Sequence, residues 1–321
     1  MAALHDALFA LDAGSTRELR SAVVGVWPPL ASAQAGQISV REVVSRFAAP
    51  GAELRAFASA PGSGRWSQID RDDVVRGVRE RLRNPASVSQ GGTDLCGPAT
   101  LLFEFCRRLP TRYVRAVAEL YDEGTFSTLG GYKYVAEPDL RGRPAAITAC
   151  DWLIAATMRD DENLTEDVDD GSGMEGFTWP TEIPRWFEQV LGLRGELFNV
   201  YNSDEMDAMR AAQRAIDAGG VAVLLIDSDL IKGGPTDDEE DVWYRHRALP
   251  DGGWSAKVHS RDDNDVIPSH YVVLLGGVEG TDEDDRKDFR MRVWTWTDEY
   301  EITGSAEGVS EYVYWVLTGT P

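Results

Sequence analysis

Positive charge is scarce in this sequence of 321 residues: 32 Lys and Arg stand against 54 Asp and Glu, for a formal net charge of −22. No Lys/Arg run exceeds two residues, so the broad basic surface that a phosphate backbone demands is missing and nucleic acid is not an expected partner. Long apolar runs are missing too. The longest, at 221–226 and 271–275, fall far short of the roughly 20 residues that span a bilayer, which removes the membrane as an expected partner. The first 19 residues, MAALHDALFALDAGSTREL, mix acids among apolar residues and show no basic start ahead of an apolar core. No secretory signal is read there, and the expected place of synthesis is the cytoplasm. Cysteine occurs three times, at Cys96, Cys106 and Cys150, too few for a disulfide framework and without CxxC spacing.

Several signature motifs are lacking or out of context. Gly171, Gly173 and Gly176 spell GxGxxG, but they follow Asp169-Asp170 instead of a strand and run into Trp179-Pro180 instead of a helix, so a dinucleotide site is not expected. There is no GxxxxGK[ST] and no HExxH, and the acidic stretch 160–170 does not set its acids and glycine at EF-hand positions. His246 and His259, thirteen apart in acidic surroundings, read as surface residues and not as zinc ligands. Neither a metal nor a cofactor is expected.

What is present has a clear direction along the chain. Apolar residues recur at helical spacing in Leu4, Leu8 and Leu11 and again in Val74, Val75, Val78 and Leu82. Residues 1–83 therefore read as a mainly helical N-terminal extension, with a loop over 48–67 around Pro61-Gly62-Ser63-Gly64. Further helices are predicted at 111–123, 144–158, 181–191 and 204–218. Another opens at Cys96, with Pro98 in its first turn and Leu101, Leu102, Phe105 and Leu109 at helical spacing. After Gly219 the character changes, and strands are predicted at 220–227, 270–278, 289–297 and 311–317. Helices first and strands later give an α+β class, with a domain over 84–321 that is helical to about 218 and β-rich from about 219.

Chemistry concentrates in two segments, Gln90-Gly91-Gly92-Thr93-Asp94-Leu95-Cys96-Gly97-Pro98 and Ser269-His270-Tyr271-Val272-Val273-Leu274-Leu275. A thiol attacks as thiolate, and the unpaired N–H groups and positive dipole end of a helix lower its pKa, so Cys96 is the candidate nucleophile. His270, opening an apolar strand, is the candidate base that takes the thiol proton and returns it to the leaving group. The tetrahedral oxyanion needs hydrogen-bond donors. The Cys96 backbone N–H can be one, and the side-chain amide of Gln90, six residues earlier across a glycine loop, the other. Cys106 and Cys150 fall on predicted helices and read as core residues.

These residues resemble those of the papain-like cysteine peptidases, which place a Gln six residues before the Cys, open a helix with that Cys and carry the His on a later sheet. The Cys-Gly-Pro start and the four apolar residues that follow Tyr271 are similar to the bacterial branch of the family that includes the bacteriocin-processing enzymes. The segment QGGTDLCGPA with Leu120, Tyr121 and Gly124 is similar to papain-like interbacterial effector toxins. Over roughly 87–318 the resemblance implies a helical subdomain carrying the Cys helix and an antiparallel β-barrel-like subdomain carrying the His. It also implies a cysteine protease that cleaves an amide bond in a protein or peptide substrate through a Cys96 thioester. For an effector it further implies export without a cleaved signal and an immunity protein or inhibitor as partner.

The family also sets an Asn or Asp ahead of a shielding Trp to orient the His. In Val293-Trp294-Thr295-Trp296-Thr297-Asp298, with Trp296 as the shield, neither stands there. Thr295 and Asp298 are the nearest polar groups, and the third role stays unassigned. Two alternatives keep their place: acyl transfer or deamidation through the same thioester, and a non-catalytic binding module that offers its acidic surface to a basic partner.

Overall fold

The structure, a computed structural model, describes residues 40–142, 146–162, 176–200, 205–232, 247–248, 254–257, 268–280, 288–304, 306, 309 and 311–321. The acidic and glycine motifs over 163–175, and both His246 and His259, lie outside the described residues. Helices α1 (Val40–Ser59), α2 (Arg71–Arg83), α3 (Cys96–Arg108), α4 (Pro110–Glu123) and α5 (Ala149–Glu162) come first, with a hairpin of β1 (Thr125–Ser127) and β2 (Lys133–Val135) between the last two. Next come α6 (Glu182–Trp186), continued by a π turn over Phe187–Leu191, then β3 (Arg194–Asn199), α7 (Glu205–Asp217), β4 (Val221–Ile226) and α8 (Asp229–Lys232). The chain closes with β5 (Arg247–Ala248), β6 (Trp254–Lys257), β7 (His270–Glu279), β8 (Phe289–Thr295), β9 (Asp298–Gly304) and β10 (Val313–Thr320). Among the described residues no helix is long and apolar enough to cross a membrane.

Eight strands form one sheet in the order β3-β10-β4-β7-β8-β9-β6-β5. Its first six strands pair antiparallel throughout, and β6 joins β9 in parallel. The α+β class is therefore the class of the molecule. The uninterrupted apolar runs of β4 and β7 follow from position: central strands covered on both faces have no solvent side on which to place a polar residue. In β4, Val221, Val223 and Leu225 enter the core beneath the helices, while Ala222, Leu224 and Ile226 enter a second core beneath α7. Each large side chain so buried contributes about 1.5–3 kcal/mol.

Helices α1 and α2 are built into the first core through Leu54, Phe57, Val74, Val75 and Val78, joined by Trp66 and Ile69 between them. Part of the expected loop at 48–67 is thus helix as far as Ser59, with Pro50 inside it. A proline there forfeits a helical hydrogen bond and crowds the preceding turn. Burial of Leu54 and Phe57 offsets that loss, and Arg71 adds a clasp by bonding the Phe57 carbonyl (3.1 Å) and Asp122 (2.6 Å). The strand expected over 289–297 ends at Thr295, because Trp296 and Thr297 have φ of +46° and +71° and turn the chain into β9.

Candidate active site

The loop ahead of α3 is closed on itself. Gly91 and Gly92 adopt φ of +65° and +92°, a region open to glycine at no steric cost. Around them the Thr93 N–H and hydroxyl donate to the Gln90 carbonyl (3.1 and 2.6 Å), and Gln90 Nε2 donates to the Thr93 carbonyl (2.6 Å). One N–H of the Gln90 amide is thereby committed to the loop and fixes the amide plane, while the same nitrogen carries a second N–H. The loop is tied to the interior at Ser89, whose N–H meets Asp151 Oδ2 at 3.0 Å. Asp151 is fully buried against Arg81 (2.6 Å).

Leu95, the residue before α3, supplies no capping side chain, so the first turn offers its N–H groups elsewhere. The backbone N–H groups of Tyr271, Gly97 and Cys96 favour the thiolate of Cys96, and the thiol faces the Asp94 carbonyl at 3.9 Å. A Cβ at position 97 would collide with Thr178, which explains a glycine directly after the cysteine. Thr178 is held in turn by the Tyr271 hydroxyl, which donates to its carbonyl at 2.9 Å. Trp179, the next residue, is 56% exposed and meets Phe177 edge-on at 5.1 Å. This segment is anchored by Glu182, which accepts the Trp179 N–H (2.9 Å) and is paired with buried Arg159.

His270 opens β7 opposite Ile226 and is 4% exposed. Its Nε2 lies 2.5 Å from Thr295 Oγ1, and its ring stacks on Trp296 with centroids 4.5 Å apart. Trp294, on the opposite face of β8, stacks on Phe103 of α3 at 4.4 Å and donates its indole N–H to the Ala86 carbonyl at 3.0 Å. Consecutive residues of one strand thus grip the cysteine helix and the histidine ring.

Cys96 and the start of β7 are neighbours, since the backbone N–H of Tyr271, the residue after His270, favours the Cys96 thiolate. Gln90 is bound within its own loop. Thr295, and not Asp298, makes the bond to His270. One expectation is corrected: the N–H groups at the helix end pull the thiol pKa down, but its net shift is upward. Burial pushes it up to about 11, outweighing the three N–H groups that pull it down, and nearby Asp94 adds to the rise. Cys106 and Cys150 are buried, and burial raises both thiols further. No family model matches this sequence, and neither does any curated protein.

Proposed function

We propose that the protein is a thiol hydrolase of papain-like architecture that cleaves an amide bond in a protein or peptide. The observation that supports this reading is Cys96 at the head of α3, where the backbone N–H of Tyr271 favours its thiolate, with His270, the residue before Tyr271, bonded through Nε2 to Thr295. In the mechanism His270 takes the thiol proton as the sulfur forms its bond to the carbonyl carbon. The oxyanion then meets the Cys96 N–H and the second N–H of the Gln90 amide. The protonated imidazole passes its proton to the leaving nitrogen as the C–N bond breaks, and water hydrolyses the thioester by the reverse sequence. The exposed Trp179 close to α3 suits a substrate with apolar side chains, as peptides have.

A second reading has one observation in its favour: a thiol held as far up as about 11 by burial is what a structural cysteine in a binding module would carry. Incubation with a proteome-derived peptide mixture, read by mass spectrometry, separates the two. The hydrolase reading expects new chain ends with the wild type that vanish with Cys96→Ala and with His270→Ala. Mass gains of about one unit at Gln without new ends would assign deamidation instead. Absence of any Cys96-dependent product would leave the binding module.

A further inference from the structure

We propose that Asp151, clamped by Arg81, is a positioning residue for the Gln90 amide, and that α2 thereby belongs to the candidate active site. The inference rests on the reading of Cys96 as nucleophile and Gln90 as oxyanion donor. Asp151 and Arg81 are 0% and 2% exposed. Arg81 Nη2 donates to Asp151 Oδ2 at 2.6 Å and Nε to Oδ1 at 3.2 Å, the two-pronged match of guanidinium to carboxylate. Its other N–H groups reach Thr148 Oγ1 (2.9 Å) and Glu80 Oε2 (3.0 Å), which fixes the guanidinium and, through it, the carboxylate. In that orientation Oδ2 also accepts, at 3.0 Å, the N–H of Ser89, the residue directly before Gln90.

The surroundings extend this hold. Asp151 stands in the first turn of α5 and Arg81 in the last turn of α2, so two helices remote in sequence meet at the base of the loop. Gly91 lies on the segment that leads into α5, where a Cβ would stand 2.5 Å from the Ala146 carbonyl and 2.4 Å from the Ile147 side chain. Ser89 Oγ accepts the Gly91 N–H at 3.1 Å. The loop is therefore held at both ends, to the ion pair at Ser89 and to α3 at Cys96. Gln90 follows the first anchor directly and precedes the second by six residues, so its amide takes its place from the ion pair.

Stability alone does not call for this arrangement. Taking two charges out of water costs about as much as their attraction returns, and apolar residues of similar volume often stabilise a core as well or better. What an apolar pair cannot do is accept the Ser89 N–H. Without that bond the loop keeps only its attachment to α3, and the Gln90 amide is free to shift. A shift of about 1 Å leaves ground-state binding of a peptide in place but weakens a bond that forms only when the carbonyl oxygen becomes an oxyanion. Loss of the clamp is therefore a loss of kcat and not of KM.

The test compares Ser89→Ala, Ser89→Pro and the double variant Arg81→Met with Asp151→Leu, all in the full chain. Ser89→Ala removes the hydroxyl alone. Ser89→Pro also removes the N–H and leaves the ion pair in place, and the Val88 ψ of 134° suits a following proline. The double variant removes the acceptor and fills its volume. The readouts are kcat and KM on a peptide cleaved in a Cys96-dependent way, hydrogen exchange of the Thr93 amide, and the urea midpoint. Relative to Ser89→Ala, both Ser89→Pro and the double variant are expected to lower kcat about 10- to 100-fold at unchanged KM. Both should speed Thr93 exchange about tenfold or more, and the double variant should keep the wild-type urea midpoint. An undiminished kcat in either variant overturns the proposal, as does a loss of kcat that follows a fall in the urea midpoint. If the double variant fails to fold, Ser89→Pro decides, and kcat and exchange equal to those of Ser89→Ala overturn the proposal. A wild type without Cys96-dependent cleavage, whose Thr93 exchange still quickens in Ser89→Pro, overturns the hydrolase reading and leaves the clamp on the loop standing.

Discussion

At Cys96 two consequences of one location oppose each other. The N–H groups at the head of α3 and from Tyr271 favour the thiolate, whereas exclusion of water favours the thiol, and the balance lies at about 11. Iodoacetamide alkylation of Cys96, with Cys106 and Cys150 replaced, is therefore expected to be slow at pH 7 and to accelerate about tenfold per pH unit toward pH 11. A plateau reached below pH 8 would contradict this. The helix end was legible in Leu95-Cys96-Gly97-Pro98, but the depth of the sulfur was not, because it is set by Thr178 and Tyr271, distant in sequence. Thr295 was legible only as a nearby polar group. A threonine on a strand is ordinary on propensity grounds, and only the pairing of β7 with β8 gives it a histidine to bond.

Within the elements, the turn between β8 and β9 carries the clearest energetic signature. Exposed Thr297 has a φ of +71°, where an L side chain crowds the following carbonyl at a cost of roughly 1–2 kcal/mol. Thr297→Gly is expected to stabilise the protein by about 1 kcal/mol in urea unfolding and to leave the Trp296 stack, and any Cys96-dependent activity, intact. Strands β4 and β7 could be read directly, since burial on both faces leaves an apolar run as their imprint. Strand β9 could not. Its acids alternate with Tyr300 and Ile302, and only the latter set is buried, so the charged half disguised it as a polar loop. In sequence the stretch from 48 to Ser59 reads as part of a loop centred on Pro61-Gly62-Ser63-Gly64, whereas α1 runs through Pro50 to Ser59 because tertiary packing against α4 and Tyr121 overrules local chemistry.

Across the whole molecule, the helical layer is fastened to the sheet at the far end of α3. Glu104, fully buried, bonds Arg107 (2.6 Å) and Arg108 (2.5 Å), and Arg108 reaches on to the Gly219 carbonyl at 2.7 Å, at the head of β4. Burial alone would raise the Glu104 carboxyl, but the charges of Arg107 and Arg108 prevail and hold it below its usual value. A folded value below the unfolded one means that the carboxylate's contribution is complete above about pH 4.3 and is lost as pH falls through the folded value. Glu104→Gln is expected to cost about 3 kcal/mol at pH 7, and the gap in urea unfolding free energy should shrink in acid. A gap of constant size would assign the loss to packing. One residue before Glu104, Phe103 stacks on Trp294, and Trp294 and Thr295 differ by a single peptide unit, so one strand is the common datum from which both the cysteine helix and the imidazole are aligned. Breathing of the sheet carries the two together and preserves their alignment. Deleting one residue from β8 exchanges its faces, delivering an indole to the imidazole and a hydroxyl to Phe103, and misplaces both partners at a stroke.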